Sequence, residues 1–120
     1  MKIEGITPIL NVSNLEESFS WFEKLGWKKH WDWGDPPSFG AVINGKCEIF
    51  LCLDCQGSHG TWMTWWVESP AAVDELYRLA LSRGVQTLAP PEDRPWNVRE
   101  CHIAHPDGHT FRISAGLPEE

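Results

Sequence analysis

The sequence predicts an α+β fold built from two βαβββ modules, and three observations carry the prediction. An apolar β-favouring run, an N-cap residue, a helix-period stripe and a terminating glycine follow one another twice, across residues 6–26 and again across residues 62–84. Each such helix is then followed by three further β-favouring segments, divided by Gly, Pro and Asn punctuation. The 120 residues, 42% hydrophobic and 22% charged, suit one globular core and leave no room for a second independent one. The expected architecture is a curved mixed sheet with the helices on its convex face and a ligand cavity on its concave one. It forms a single domain over residues 1–120, with module one at about 1–57 and module two at about 58–120.

In the first module, residues 6–12 read as a strand ending at Ser13 and Asn14, both good N-caps, with Glu16 and Glu17 placed to complete a capping box in either register. Leu15, Phe19, Phe22 and Leu25 form a helical stripe that Gly26 stops. Residues 27–33 read as a strand and 34–37 as a loop. A hairpin of residues 39–43 and 47–53 is expected to turn at Asn44-Gly45, since Asn-Gly is the strongest short hairpin signal.

The second module opens on the strand 62–68, which holds three of the chain's eight tryptophans. Ser69 is the expected N-cap and Pro70 occupies the favoured first helical position. Val73, Leu76, Tyr77 and Ala80 make the apolar stripe, and Gly84 ends the helix. Residues 85–88 read as a short strand, followed by a Pro-rich loop; residues 96–104 and 110–114 are the last two strands, joined at Pro106-Asp107-Gly108.

A formal charge of −7 argues against nucleic acid or an anionic membrane as partner and favours a neutral or cationic ligand. No apolar run reaches the ~20 residues that span a bilayer. The N-terminal residues lack the basic and apolar regions of an export signal, so the expected location is cytoplasmic and Cys47, Cys52, Cys55 and Cys101 are expected as reduced thiols. Cys52-x-x-Cys55 with Cys47 and His59 is only loosely zinc-like. His102, His105 and His109 span a strand and a tight turn; His105 is expected to be exposed, and the three are not expected to converge.

Two segments carry a resemblance. ILNVSNLEESFSWFEKLGW near the start and PWNVRECHIAHPDGHTFRI near the end are similar to the opening and closing motifs of the vicinal oxygen chelate superfamily, which contains glyoxalases, extradiol dioxygenases, fosfomycin-resistance enzymes and bleomycin-resistance proteins. The resemblance is nearest to the bleomycin-resistance branch. It implies a homodimer whose pockets take residues from both subunits. It also implies four His, Glu or Gln metal-ligand positions, which fall here on Thr7, Phe50, Trp62 and Arg112. A hydroxyl, a phenyl ring, an indole and a permanently charged guanidinium do not make such a site, so no metal and no cofactor are expected.

Strand alternation then sorts the side chains around those positions. The candidate ligand-binding set is Phe50, Trp62, Thr64, Trp66, Glu100, His102 and Arg112, on the same face as Glu48, while Met63, Trp65 and Val67 turn toward a helix. Glu100 and Arg112 are also placed to pair across neighbouring strands. Aromatic faces stack on planar rings and attract cations. The expected function is therefore metal-free binding of a small planar, aromatic or cationic ligand, an antibiotic or metabolite, without turnover. Two alternatives stand beside it. One is a lyase or dioxygenase with a displaced metal site, or metal-independent chemistry with Glu100 or His102 as general base. The other is a dimerising interaction module whose tryptophans form the subunit contact.

Overall fold

A computed structural model describes residues 1–118. The element order is β1 (Ile9–Val12), α1 (Leu15–Glu23), β2 (Lys28–Trp33), β3 (Phe39–Asn44), β4 (Cys47–Leu53), β5 (Trp62–Trp66), α2 (Pro70–Ser82), β6 (Gln86–Arg94), β7 (Val98–Ala104) and β8 (Thr110–Gly116). This is βαβββ twice, in an α+β fold. The chain divides into two compact units, Met1–His59 and from Gly60 onward. Each holds one four-stranded mixed sheet, ordered β1-β4-β3-β2 in the first and β5-β8-β7-β6 in the second. In each, the first strand lies parallel to the last and the remaining pairs are antiparallel.

The two helices start and stop by the same chemistry. Asn14 accepts the Glu17 N–H at 3.0 Å and Ser69 accepts the Ala72 N–H at 3.1 Å, each satisfying a donor that the first helical turn leaves free. At the far end Gly26 and Gly84 take φ of +89° and +73°. The next residue's N–H reaches back to the helix, Trp27 to the Phe22 carbonyl and Val85 to the Ala80 carbonyl, in a Schellman closure. Trp27 and Val85 were expected to begin strands. Both are instead the buried apolar residue that follows the capping glycine, and pairing starts one residue later.

In the first unit Leu10, Val12, Val42, Ile49 and Leu51 are buried on the sheet face that meets Phe19 and Phe22 of α1. Gly40 is what lets Phe19 sit so low, since a Cβ there would meet the ring at 2.5 Å. β1 is shorter than the expected 6–12 because its ladder begins only at the Pro8 carbonyl, which takes the Phe50 N–H at 2.9 Å. Asn44 pairs with Cys47, so the two-residue turn is Gly45-Lys46, one position later than expected. In the second unit Phe111, Ile113, Cys101 and Ile103 are buried with Val73 and Ala80 of α2. Arg99 ties β7 to α2 through Asp74 and to β6 through Asp93, both at 2.9 Å.

Three further expectations are corrected. The Pro-rich stretch after residue 88 is not a loop: β6 runs to Arg94 as an edge strand, with Pro90 and Pro91 placed where the register slips between Ala89 and Glu92. Proline is tolerated there because an edge and a bulge both spare its missing N–H. Trp96 and Asn97 lie in the turn before β7, and Asn97 adopts φ +68°. His105 is buried, at 2% exposure, not exposed. Its Nδ1 accepts the Asp107 N–H at 3.1 Å, the acceptor role an Asp would fill at the head of this turn, while the ring packs on His109 and Phe111.

Two of the four cysteines, Cys52 and Cys55, also depart from expectation. Cys52 and Cys55 are joined as a disulfide, whereas Cys47 is free and exposed and Cys101 is free and buried. Burial, with Asp74 and Glu100 nearby, pushes the Cys101 thiol up to about 12. Titration of the folded protein with a disulfide reagent, without reductant, is therefore expected to modify Cys47 alone, with Cys101 reacting only on unfolding. Modification of a second cysteine in the folded state would contradict this.

Candidate functional site

Each sheet has one face under its helix and one face open, and the predicted site residues fall on the open faces. In the first unit Phe50 joins Trp31 and Phe39 in a three-ring cluster. Trp31 and Phe39 stack at 5.9 Å, and Phe50 meets them edge-on at 5.4 and 5.6 Å. Register explains the cluster: Trp31 and Phe50 both oppose Ala41, whose small side chain lets the flanking rings meet above it. A bulge between Lys29 and Trp31 sets this register. At one end of this face Glu48 pairs with His30 at 2.6 Å, and at the other Trp33 is 70% exposed. Thr7 is exposed and lies outside any strand.

In the second unit the alternation of β5 is as expected. Trp65 stacks on buried Phe111 at 4.6 Å, on the α2 side. Trp62 and Trp66 point the other way and are 60% and 69% exposed. The cross-strand neighbours of this face follow from register: Trp62 opposes Thr110, Thr64 opposes Arg112, and Trp66 opposes Ser114. Arg112 in turn opposes His102, and Ser114 opposes Glu100. Trp62 meets the His102 ring edge-on at 5.8 Å, which fixes both on one face.

Glu100 is the electrostatic centre of this face, though only 1% of it is exposed. Arg112 clasps it with two bonds, Nε to Oε2 at 3.0 Å and Nη2 to Oε1 at 3.1 Å. His102 Nε2 adds a bond to Oε2 at 2.7 Å, and Trp96 Nε1 donates to Oε1 at 2.9 Å. The Arg94 Nε stands 4.0 Å away. Burial pushes the carboxyl group up, but the bonds from Arg112, His102 and Trp96 outweigh it and hold it below the ordinary carboxylate value. Glu100 is thus an ionised, buried and fully bonded acceptor.

Thr64, His102 and Arg112 are therefore gathered into one cross-strand row, between the rows of Trp62 and Trp66. Phe50 belongs to the separate face of the first unit. Trp31 and Phe39, as partners of Phe50, and Trp96, as a donor to Glu100, were not among the predicted site residues. Among the described residues no group of three or more His, Cys, Asp or Glu side chains is placed to hold a metal ion.

Two βαβββ units follow one another in the chain, each with its helix on one face of its sheet. The chain matches the Glyoxalase/Bleomycin resistance protein/Dioxygenase superfamily over residues 3–113 and belongs to it. Among solved structures it is similar to a glyoxalase/bleomycin resistance protein/dioxygenase from Nocardioides, with 22% identity, TM-score 0.79, and coverage of 100% of this chain and 87% of that one. It is also similar to a bleomycin resistance determinant encoded on the transposon Tn5, with 17% identity, TM-score 0.77, and coverage of 95% and 98%. A third is TioX from Micromonospora sp. ML1, with 17% identity, TM-score 0.78, and coverage of 93% and 98%. These identities establish the shared fold alone. No curated protein sequence matches the chain.

The metal ligands that the resemblance implies do not fit this chain. Arg112 is committed to Glu100, Phe50 to its ring cluster, and Trp62 presents an indole. None of these groups donates an electron pair to a divalent cation.

Proposed function

We propose that this protein binds a planar small molecule, without a metal and without turnover, as a homodimer. The observation that carries the proposal is the pair of exposed indoles, Trp62 and Trp66, set on an open sheet face beside a row of polar side chains. Exposed tryptophans four residues apart on one strand face offer flat, rigid contact area at low entropic cost. The three-ring cluster around Phe50 supplies a second aromatic surface of the same character. A cytoplasmic location goes with this proposal. Among the described residues no helix is long and apolar enough to cross a membrane.

The test is a tryptophan fluorescence titration with metal-free bleomycin, the antibiotic for which the structurally similar resistance determinant is named, repeated on Trp66→Ala. Saturable quenching that weakens by about tenfold in the variant is expected, as loss of a stacking contact and its buried area implies. Absence of quenching in both proteins would remove bleomycin as a ligand, and equal affinity would remove Trp66 from the site. The homodimer is tested by sedimentation equilibrium.

One contact favours a second reading. The 2.7 Å bond between His102 and Glu100 orients an imidazole on the open face, as a general base requires. Mass spectrometry of the ligand recovered after incubation separates the two: an unchanged ligand supports sequestration, and a product abolished by His102→Ala supports catalysis.

A further inference from the structure

Resting on the binding function just proposed, we infer the chemical class of the ligand held by the second unit: a planar aromatic acid, its carboxylate anchored by Arg112 and Thr64 and its ring against Trp66 and Trp62. An acidic chain with two glutamates among its open-face residues first points to a cationic guest. The contacts of Glu100 reverse that for this unit. Both of its oxygens are occupied, each by two donors, and the side chain is buried. A cation arriving on this face would find no free acceptor there.

What remains available is donor capacity. Arg112 spends Nε and Nη2 on Glu100, while its Nη1 has no partner among the described residues and its side chain is 36% exposed. Thr64 opposes it on one side, so a hydroxyl donor stands beside the guanidinium, while His102 on the other side spends its Nε2 proton on Glu100. The other acids near this sheet are held elsewhere: Asp74 and Asp93 by Arg99 on the α2 side, and Glu92 by Arg94 at 3.1 Å. Guanidinium groups bind carboxylates by short charge-assisted hydrogen bonds, and an exposed indole on each neighbouring row matches a flat ring. Because Glu100 fixes the guanidinium in advance, little side-chain entropy is lost when the anion arrives.

The experiment compares naphthoate, naphthamide and protonated naphthylmethylamine by calorimetry and tryptophan quenching at neutral pH. The three probes share a ring and differ only in the charge of its substituent. The wild type is expected to bind naphthoate about tenfold tighter than the amide, the difference between a charged and a neutral hydrogen bond to Arg112. Thr64→Val should weaken naphthoate about fivefold through the lost hydroxyl. Arg112→Gln alone would strand Glu100, so the decisive variant is the double substitution E100Q/R112Q, which keeps a neutral hydrogen-bonded pair and is checked for folding by circular dichroism. It should bind naphthoate and naphthamide equally. The assignment is overturned if the amide or the amine binds wild type as tightly as naphthoate, or if the double variant keeps the preference. Equal binding of all three probes that depends on Trp66 would leave the planar-ligand proposal standing while removing the acid. No binding of any probe would remove both.

Discussion

Arg112→Leu is expected to lower the unfolding free energy by about 3–5 kcal/mol, the usual consequence of leaving a buried charge without its partner. Glu100→Leu should cost clearly less. The asymmetry follows from exposure. Glu100 has almost no contact with solvent, so loss of Arg112 leaves a carboxylate that water cannot reach. Loss of Glu100 leaves donors on Arg112 and Trp96, and these side chains already reach the surface, so water satisfies them. Urea denaturation of the two variants measures the difference, and a Glu100→Leu cost equal to or above that of Arg112→Leu would contradict it.

The same geometry fixes the sign of the acid response. The folded-state value of Glu100 lies below its ordinary 4.5. The unfolded chain therefore takes up a proton first as pH falls. The stabilisation is fully present above the ordinary carboxylate range and is lost as pH drops through the depressed folded value. Wild type should lose part of this contribution on going from about pH 7 to about pH 3, while E100Q/R112Q lacks it at both. In Arg112→Leu the trend is opposite: a protonated Glu100 is cheaper to bury than a charged one, so the cost of the substitution shrinks on acidification.

Much of the fold was legible because the signals were local. Asn14, Ser69, Gly26 and Gly84 act by hydrogen bonds and φ values within a few residues of themselves, and their types state the role. The misread segments turn on backbone closure, strand position or turn chemistry that residue type does not state. Trp27 and Val85 look like strand residues until the helix that precedes them closes back on its own carbonyls. Pro90-Pro91 reads as a loop unless it is known that β6 is an edge strand. His105 reads as a surface residue because its type is polar, yet an imidazole nitrogen replaces a carboxylate as turn acceptor at no cost in burial. At the candidate site, two-residue alternation placed Trp62, Thr64 and Trp66 on one face. It could not pair Trp31 with Phe39 and Phe50, because the bulge at His30 shifts the phase of β2. Spacing alone could not distinguish a Glu100 that faces a ligand from one already enclosed by its own neighbours.

Alternation along β5 makes one further claim, that adjacent tryptophans serve different ends. Phe111→Ala should destabilise the protein by about 3–5 kcal/mol, because it empties a fully buried site beneath the Trp65 ring and removes a stack at 4.6 Å. Trp66→Ala, one residue beyond Trp65 and 69% exposed, should change stability by no more than about 0.5 kcal/mol, as surface substitutions do. Binding should respond in the reverse order: Trp66→Ala loses ligand while remaining folded, and Phe111→Ala binds in proportion to the fraction that is folded. Denaturation curves and fluorescence titrations on the same two proteins measure both effects. A Trp66→Ala variant that unfolds as readily as Phe111→Ala would mean that its indole is part of a packed interior in the assembled protein. The open face of β5 would then be a subunit contact instead of a ligand surface.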